Sequence, residues 1–149
     1  MTAILSQNIS YIPGFTQLGA APARMELFED RVVVTTLDDN GAAIEVVIDT
    51  PLSELKISGS LALLKIIVGD VKRAVDFSFK ARAMMATPGG ILGVGGVIRD
   101  SGIYGWINEF RSRGVAVKYI SIGHTWLMAL AGVVVFGFVV FVIATNMSP

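Results

Sequence analysis

The chain has 149 residues, room for one compact domain and little more; 53% are hydrophobic and 16% charged, against about 25% charged in an ordinary soluble domain. Twelve basic and twelve acidic side chains cancel, and all of them fall between Arg24 and Lys118, which leaves residues 119–149 with only His124 able to take up charge. This distribution argues against a wholly soluble or a disordered protein, and zero cysteines exclude disulfides, thiolate metal sites and a cysteine nucleophile.

Residues 1–22 carry no basic side chain, so they lack the charged start of a secretory signal. Their apolar positions, from Ile4 to Leu18, are interrupted by Ser6, Gln7, Asn8, Pro13 and Gly14. They read as an uncleaved arm, either packed on its own domain or a partner, or frayed. From residue 23 the pattern turns to short alternating runs. Arg24–Phe28, Val32–Leu37 and Ala43–Ile48 predict three strands, joined by turns at Glu29–Arg31 and Asp38–Gly41. Asn40-Gly41 supplies the positive φ angles such a hairpin needs. Pro51–Leu55 is a connector, and Leu55–Ser58, Ser60–Val68 and Val71–Phe79 form a second meander around Gly69-Asp70. Near Arg73 the two-residue period slips, which predicts a bulge.

Residues 87–97 hold five glycines among Ile91, Leu92, Val94 and Val97. The spacing completes neither a dinucleotide fingerprint nor a phosphate-binding loop. A flexible apolar loop touching protein or the membrane interface is one reading, and a plain connector is the other. Ile103–Arg113 predicts a helix, because Ile103, Trp106, Ile107 and Phe110 fall on one face and Gly114 can end it. Residues 116–125 then form a short tether. Trp126–Ala144 is nineteen residues without a charge, about 28 Å as a helix, close to the ~30 Å hydrocarbon core of a bilayer. It predicts a single membrane span. Arg111, Arg113 and Lys118 flank its N-terminal side and no basic residue follows it, so the expected orientation puts the β domain in the cytoplasm and residues 145–149 outside. A lone span so late in the chain is the layout of a tail-anchored protein.

The hairpin MELFEDRVVV, the connector PLSEL, the hairpin GDVKRAVDFSF and the closing WINEFRSRGV give residues 23–115 a pattern that resembles the bacterial pleckstrin-homology-like domains. The resemblance implies a mainly β fold: a small antiparallel sandwich or barrel capped by one amphipathic helix, with Trp106 and Phe110 in its core. In phosphoinositide-binding relatives basic residues surround the first hairpin loop; Glu29 and Asp30 stand there in this chain, which disfavours that ligand.

The inventory for catalysis is thin. His124 is the one histidine, beside the apolar segment, and no pair marks a serine–lysine site. No catalytic, cofactor or metal site is expected, and no basic patch interleaved with aromatic residues suggests nucleic acid. Residues 24–54 carry net charge −6 (two basic, eight acidic) and residues 56–118 net +6 (ten basic, four acidic). Lys65, Lys72, Arg73, Lys80 and Arg82 are the candidates for contact with anionic headgroups or a partner protein, although adjacent Lys72 and Arg73 should point opposite ways on a strand. Ile91, Leu92 and Trp126 are the apolar contact candidates. The expected function is a non-catalytic, single-pass accessory subunit of a larger membrane complex, of which a respiratory complex or supercomplex is one home that fits by size and layout. A membrane-anchored, lipid-sensing or recruitment module acting alone is the alternative.

Overall fold

The computed structural model describes residues 2–13, 20–78, 83–84 and 90–146, with side chains at 90–92, 122, 125–126, 128–130, 139, 141 and 144–146 outside the description. Two compact units divide it, residues 1–119 and 120–149. The first is mainly β. Eight strands are joined in one sheet: β1 (Leu5–Ile12), β2 (Ala21–Leu27), β3 (Arg31–Leu37), β4 (Ala43–Pro51), β5 (Leu55–Ser60), β6 (Leu63–Val68), β7 (Val71–Asp76) and β8 (Ala116–Ile120). Their order across the sheet is β4-β3-β2-β1-β7-β6-β5-β8. Helices α1 (Gly90–Asp100) and α2 (Ile103–Ser112) follow β7.

The register lines up one apolar face. Ile9 and Tyr11 of β1 stand opposite Ala23 and Ala21, Met25 and Leu27 opposite Val34 and Val32, and these opposite Ile48 and Thr50. Beyond β1 the same side carries Val75, Leu64, Ile66 and Ile57. Nearly all of these side chains are buried. We call this side the inner face. Helix α2 lies on it with Ile103, Trp106, Ile107 and Phe110 buried, the set that the 3.6-residue period predicts. Gly114 ends the helix at φ 78°, and Arg113 donates from Nη1 to the Glu29 carbonyl (3.1 Å) while pairing with Glu109 (2.8 Å). The helix is thereby fastened to the β2–β3 turn.

Several expectations are corrected. Among the described residues the sheet is a single open one rather than a sandwich or closed barrel, and more than one helix accompanies it. Residues 5–12 are no arm beside the domain but strand β1, fourth from one edge. The predicted strand Ser60–Val68 is interrupted at Leu61-Ala62, where Leu61 adopts φ 56° in a tight turn and Ala62 is buried. No bulge occurs at Arg73, since β6 and β7 pair without a break; the register shifts instead within β3–β4, after Val34 and after Thr36. In the Asp38–Gly41 turn only Gly41 takes positive φ, and Asp38 closes the loop by accepting from the backbone N–H of Asn40 and Ala42. Of the predicted glycine-rich loop, residues 90–97 belong to α1. Four glycines cost a helix about 1 kcal/mol each relative to alanine, and burial of Val94 and Ile98 outweighs that bias. Half of the predicted tether, residues 116–120, is β8, and residues 122–125 begin the helix that follows.

A polar clamp holds the helix pair on the sheet. Gln7 donates from Nε2 to the Ser101 carbonyl (2.6 Å) and accepts from the Trp106 indole N–H (2.9 Å). Gln7→Leu should leave both groups poorly satisfied and lower the stability of the β unit by about 1–3 kcal/mol. Chemical denaturation of the full chain in detergent checks this, and an unchanged midpoint would count against the clamp.

The second unit is α3 (Ile122–Asn146), 25 residues without an acidic or basic side chain except His124. It spans about 37 Å. Val133, Val134, Val135 and Phe136 are all exposed, and four consecutive residues occupy every side of a helix. Among the described residues, no helix is long and apolar enough to cross a membrane.

Candidate functional site

Strand alternation sorts the basic residues of the second meander between two faces. Lys56 of β5 stands opposite Ile67 of β6, which stands opposite Lys72 of β7, so the three form one row across the sheet. Lys65 lies two residues along β6, opposite Ser58 and Ala74, on the same side. This is the outer face, away from Ile57, Ile66 and Val75. Lys118 joins it from β8: its neighbour Tyr119 turns inward, where its ring meets Tyr104 of α2 edge-on at 6.0 Å, so Lys118 projects the other way and is exposed. Burial, reinforced by the adjacent Tyr104 phenol, raises the pKa of Tyr119 above the ordinary value of about 10. The phenol therefore stays protonated and donates to the Leu61 carbonyl, tying β8 to the β5–β6 turn.

Arg73 goes elsewhere. It stands opposite Ile66 and faces inward, as the expected opposition to Lys72 requires. There it lines a cleft of about 260 Å³ with Ile48, Thr50, Ile66, Val68 and Val71. β4 and β7 are four positions apart in the sheet, about 19 Å if it were flat. Sharing one small cleft requires the sheet to curl so that β4 faces β6 and β7.

No protein-family model matches the chain, and no curated protein sequence matches it. Among solved structures, a chain described as "A Systematic Screen for Protein-Lipid Interactions in Saccharomyces cerevisiae" is similar over 58% of this chain and 89% of its own, at 14% identity and a TM-score of 0.39. That degree of likeness carries no argument.

Of the residues singled out from sequence, the fold brings Lys65 and Lys72 together and sends Arg73 to the opposite face. Lys80 and Arg82 lie outside the described residues. Ile91 and Leu92 fall on α1 and Trp126 on α3, with side chains outside the description. Sequence reasoning missed Lys56 and Lys118. Each had a usable signal, since two-residue alternation along Leu55–Ser58 turns Lys56 away from buried Leu55 and Ile57, and the run Val117-Lys118-Tyr119 alternates in the same way.

The arrangement suits electrostatic contact. Lys56, Lys72 and Lys118 form no ion pair among the described residues, and neutral side chains such as Ser58, Ile67 and Ala74 lie between the lysines. His124 bonds with Ser121, its Nδ1 3.2 Å from Oγ, three residues back on the same short segment. That contact is local helix-start geometry and brings no carboxylate to the ring.

Proposed function

We propose that this protein is a non-catalytic accessory subunit of a membrane complex, held at the bilayer by α3 as a single span, with a pleckstrin-homology-like β unit on the cytoplasmic side. The observation that carries the reading is α3 itself: 25 helical residues, uncharged after His124, with apolar side chains exposed on every side. Each such side chain is worth roughly 1.5–3 kcal/mol when buried, so water is a costly surrounding for this helix. Positive flanking residues on its N-terminal side support the orientation. The pleckstrin-homology-like assignment draws on the two meanders, the curl of the sheet and the closing helix with Trp106 and Phe110 buried. Ser121 alone separates β8 from α3, which favours a fixed station at the membrane over free diffusion.

Purification of the full-length chain from membranes in mild detergent tests the reading. The expected result is recovery in stoichiometric amount with an integral membrane protein whose assembly falters when this chain is deleted. Recovery as a monomer, with every membrane complex intact in the deletion strain, would overturn it.

A further inference from the structure

We propose that the outer face carrying Lys56, Lys65, Lys72 and Lys118 is a contact surface for anionic lipid headgroups. The inference rests on the anchored reading above and adds a ligand for one named face of the sheet.

Spacing is the first argument. Strands sit about 4.8 Å apart, which places Lys56 and Lys72 about 10 Å from each other across Ile67. Lys65 is diagonal to both, at about 7–8 Å between backbone positions. Like charges this close repel. Asp76, two residues along β7 from Ala74, lies on the same face beside Lys65, whereas Glu54 before β5 and Asp70 in the β6–β7 turn form no ion pair with Lys56 or Lys72 among the described residues. A layer of phosphates in front of the face relieves the repulsion at once.

The chemistry of the residues is the second. All four are lysines, compact charges on flexible stems that accept any nearby phosphate, with no arginine fork to select one headgroup geometry. Half-buried Ile67 in the middle of the row adds apolar contact. An array of point charges spread over one face fits a charged lipid surface better than a stereospecific small ligand. Each lysine near an anionic leaflet strengthens association roughly fivefold. An acidic protein surface would satisfy the same charges, but α3 begins two residues after β8 ends, so on the anchored reading lipid is the anionic surface always within reach.

The test uses the full chain carrying Trp126→Phe, which leaves Trp106 in the β unit as the single tryptophan. The protein is reconstituted into nanodiscs of phosphatidylcholine alone, or of phosphatidylcholine and phosphatidylglycerol in equal parts, each with a trace of dansyl-labelled lipid. Energy transfer from Trp106 should rise several-fold in the anionic discs and fall back in high salt. Lys56→Gln, Lys72→Gln and Lys118→Gln together should abolish the rise, whereas Arg73→Gln, on the opposite face, should leave it intact. Equal transfer in both lipids, or equal loss from Arg73→Gln and the lysine set, would overturn the proposal. Failure of the anchored reading is separable, because the chain would then join neither kind of disc.

Discussion

If α3 anchors the chain as proposed, Val134→Arg combined with Phe138→Arg should release the protein from the membrane. Both side chains are exposed on α3, at 68% and 66%, four residues apart on one side of the helix and near its middle. Arginine near the centre of a spanning helix costs about 2.5–3.5 kcal/mol on insertion-based scales, and each substitution also gives up a residue that favours insertion. Two together cost about 5–7 kcal/mol, roughly four orders of magnitude in partitioning. Alkaline carbonate extraction followed by flotation reads the outcome: wild type floats with the lipid, and the double variant stays with soluble protein or is degraded. Val134→Leu with Phe138→Leu keeps the hydropathy and should float. A double arginine variant that still resists carbonate would show that something other than α3 holds the chain.

The elements legible in the sequence are those whose signal is local. Helix α2 announces itself through four apolar positions on one face with a glycine beyond its end, and those four side chains are the buried ones. The Asp38–Gly41 and Gly69-Asp70 turns are likewise marked by residues that tolerate the backbone they need. What escaped depends on distant partners. β1 looks broken because Gln7 interrupts its apolar alternation, yet Gln7 is satisfied by Ser101 and Trp106, more than ninety residues away. α1 reads as a loop by composition, and only the pocket that receives Val94 and Ile98 makes it a helix. Leu61 has no turn chemistry; the apolar run around it hides a hairpin that forms because Ala62 is buried and its carbonyl accepts from the Phe77 N–H (2.8 Å).

The candidate site was half visible for the same reason. Alternation alone separates Lys72 from Arg73, since neighbours on a strand face opposite ways. That Lys65 and Lys72 share a face depends on the β6–β7 register, which a short turn at Gly69-Asp70 sets. Alternation turns Lys56 and Lys118 away from their buried or half-buried neighbours, but that they share a face with Lys65 and Lys72 depends on β5 having β6 on one side and β8, a five-residue edge strand, on the other.

Phe110→Ala should be the most damaging single truncation in the β unit. Phe110 is fully buried, and its ring lies 5.8 Å from that of Trp106, which in turn meets Phe77 at 6.0 Å edge-on. This aromatic series runs from the closing helix to the end of β7, so the cavity left by the lost ring opens between helix and sheet. Removing a buried phenylalanine costs about 3–5 kcal/mol. A domain of this size commonly has only about 5–15 kcal/mol in total. At roughly 4 °C per kcal/mol the thermal midpoint should fall by about 12–20 °C. Asn108→Ala, on the exposed side of the same helix, should stay within about 0.5 kcal/mol of wild type. Because α2 follows seven strands of the sheet and precedes only β8, the two variants also ask whether the sheet is stable before its helix docks. If Phe110→Ala melts with Asn108→Ala, the strands hold without α2 and the helix is a lid on a finished sheet. If it melts far earlier in one transition, the inner face needs that aromatic cover to remain folded, and loss of α2 would loosen β7 and the lysine it carries.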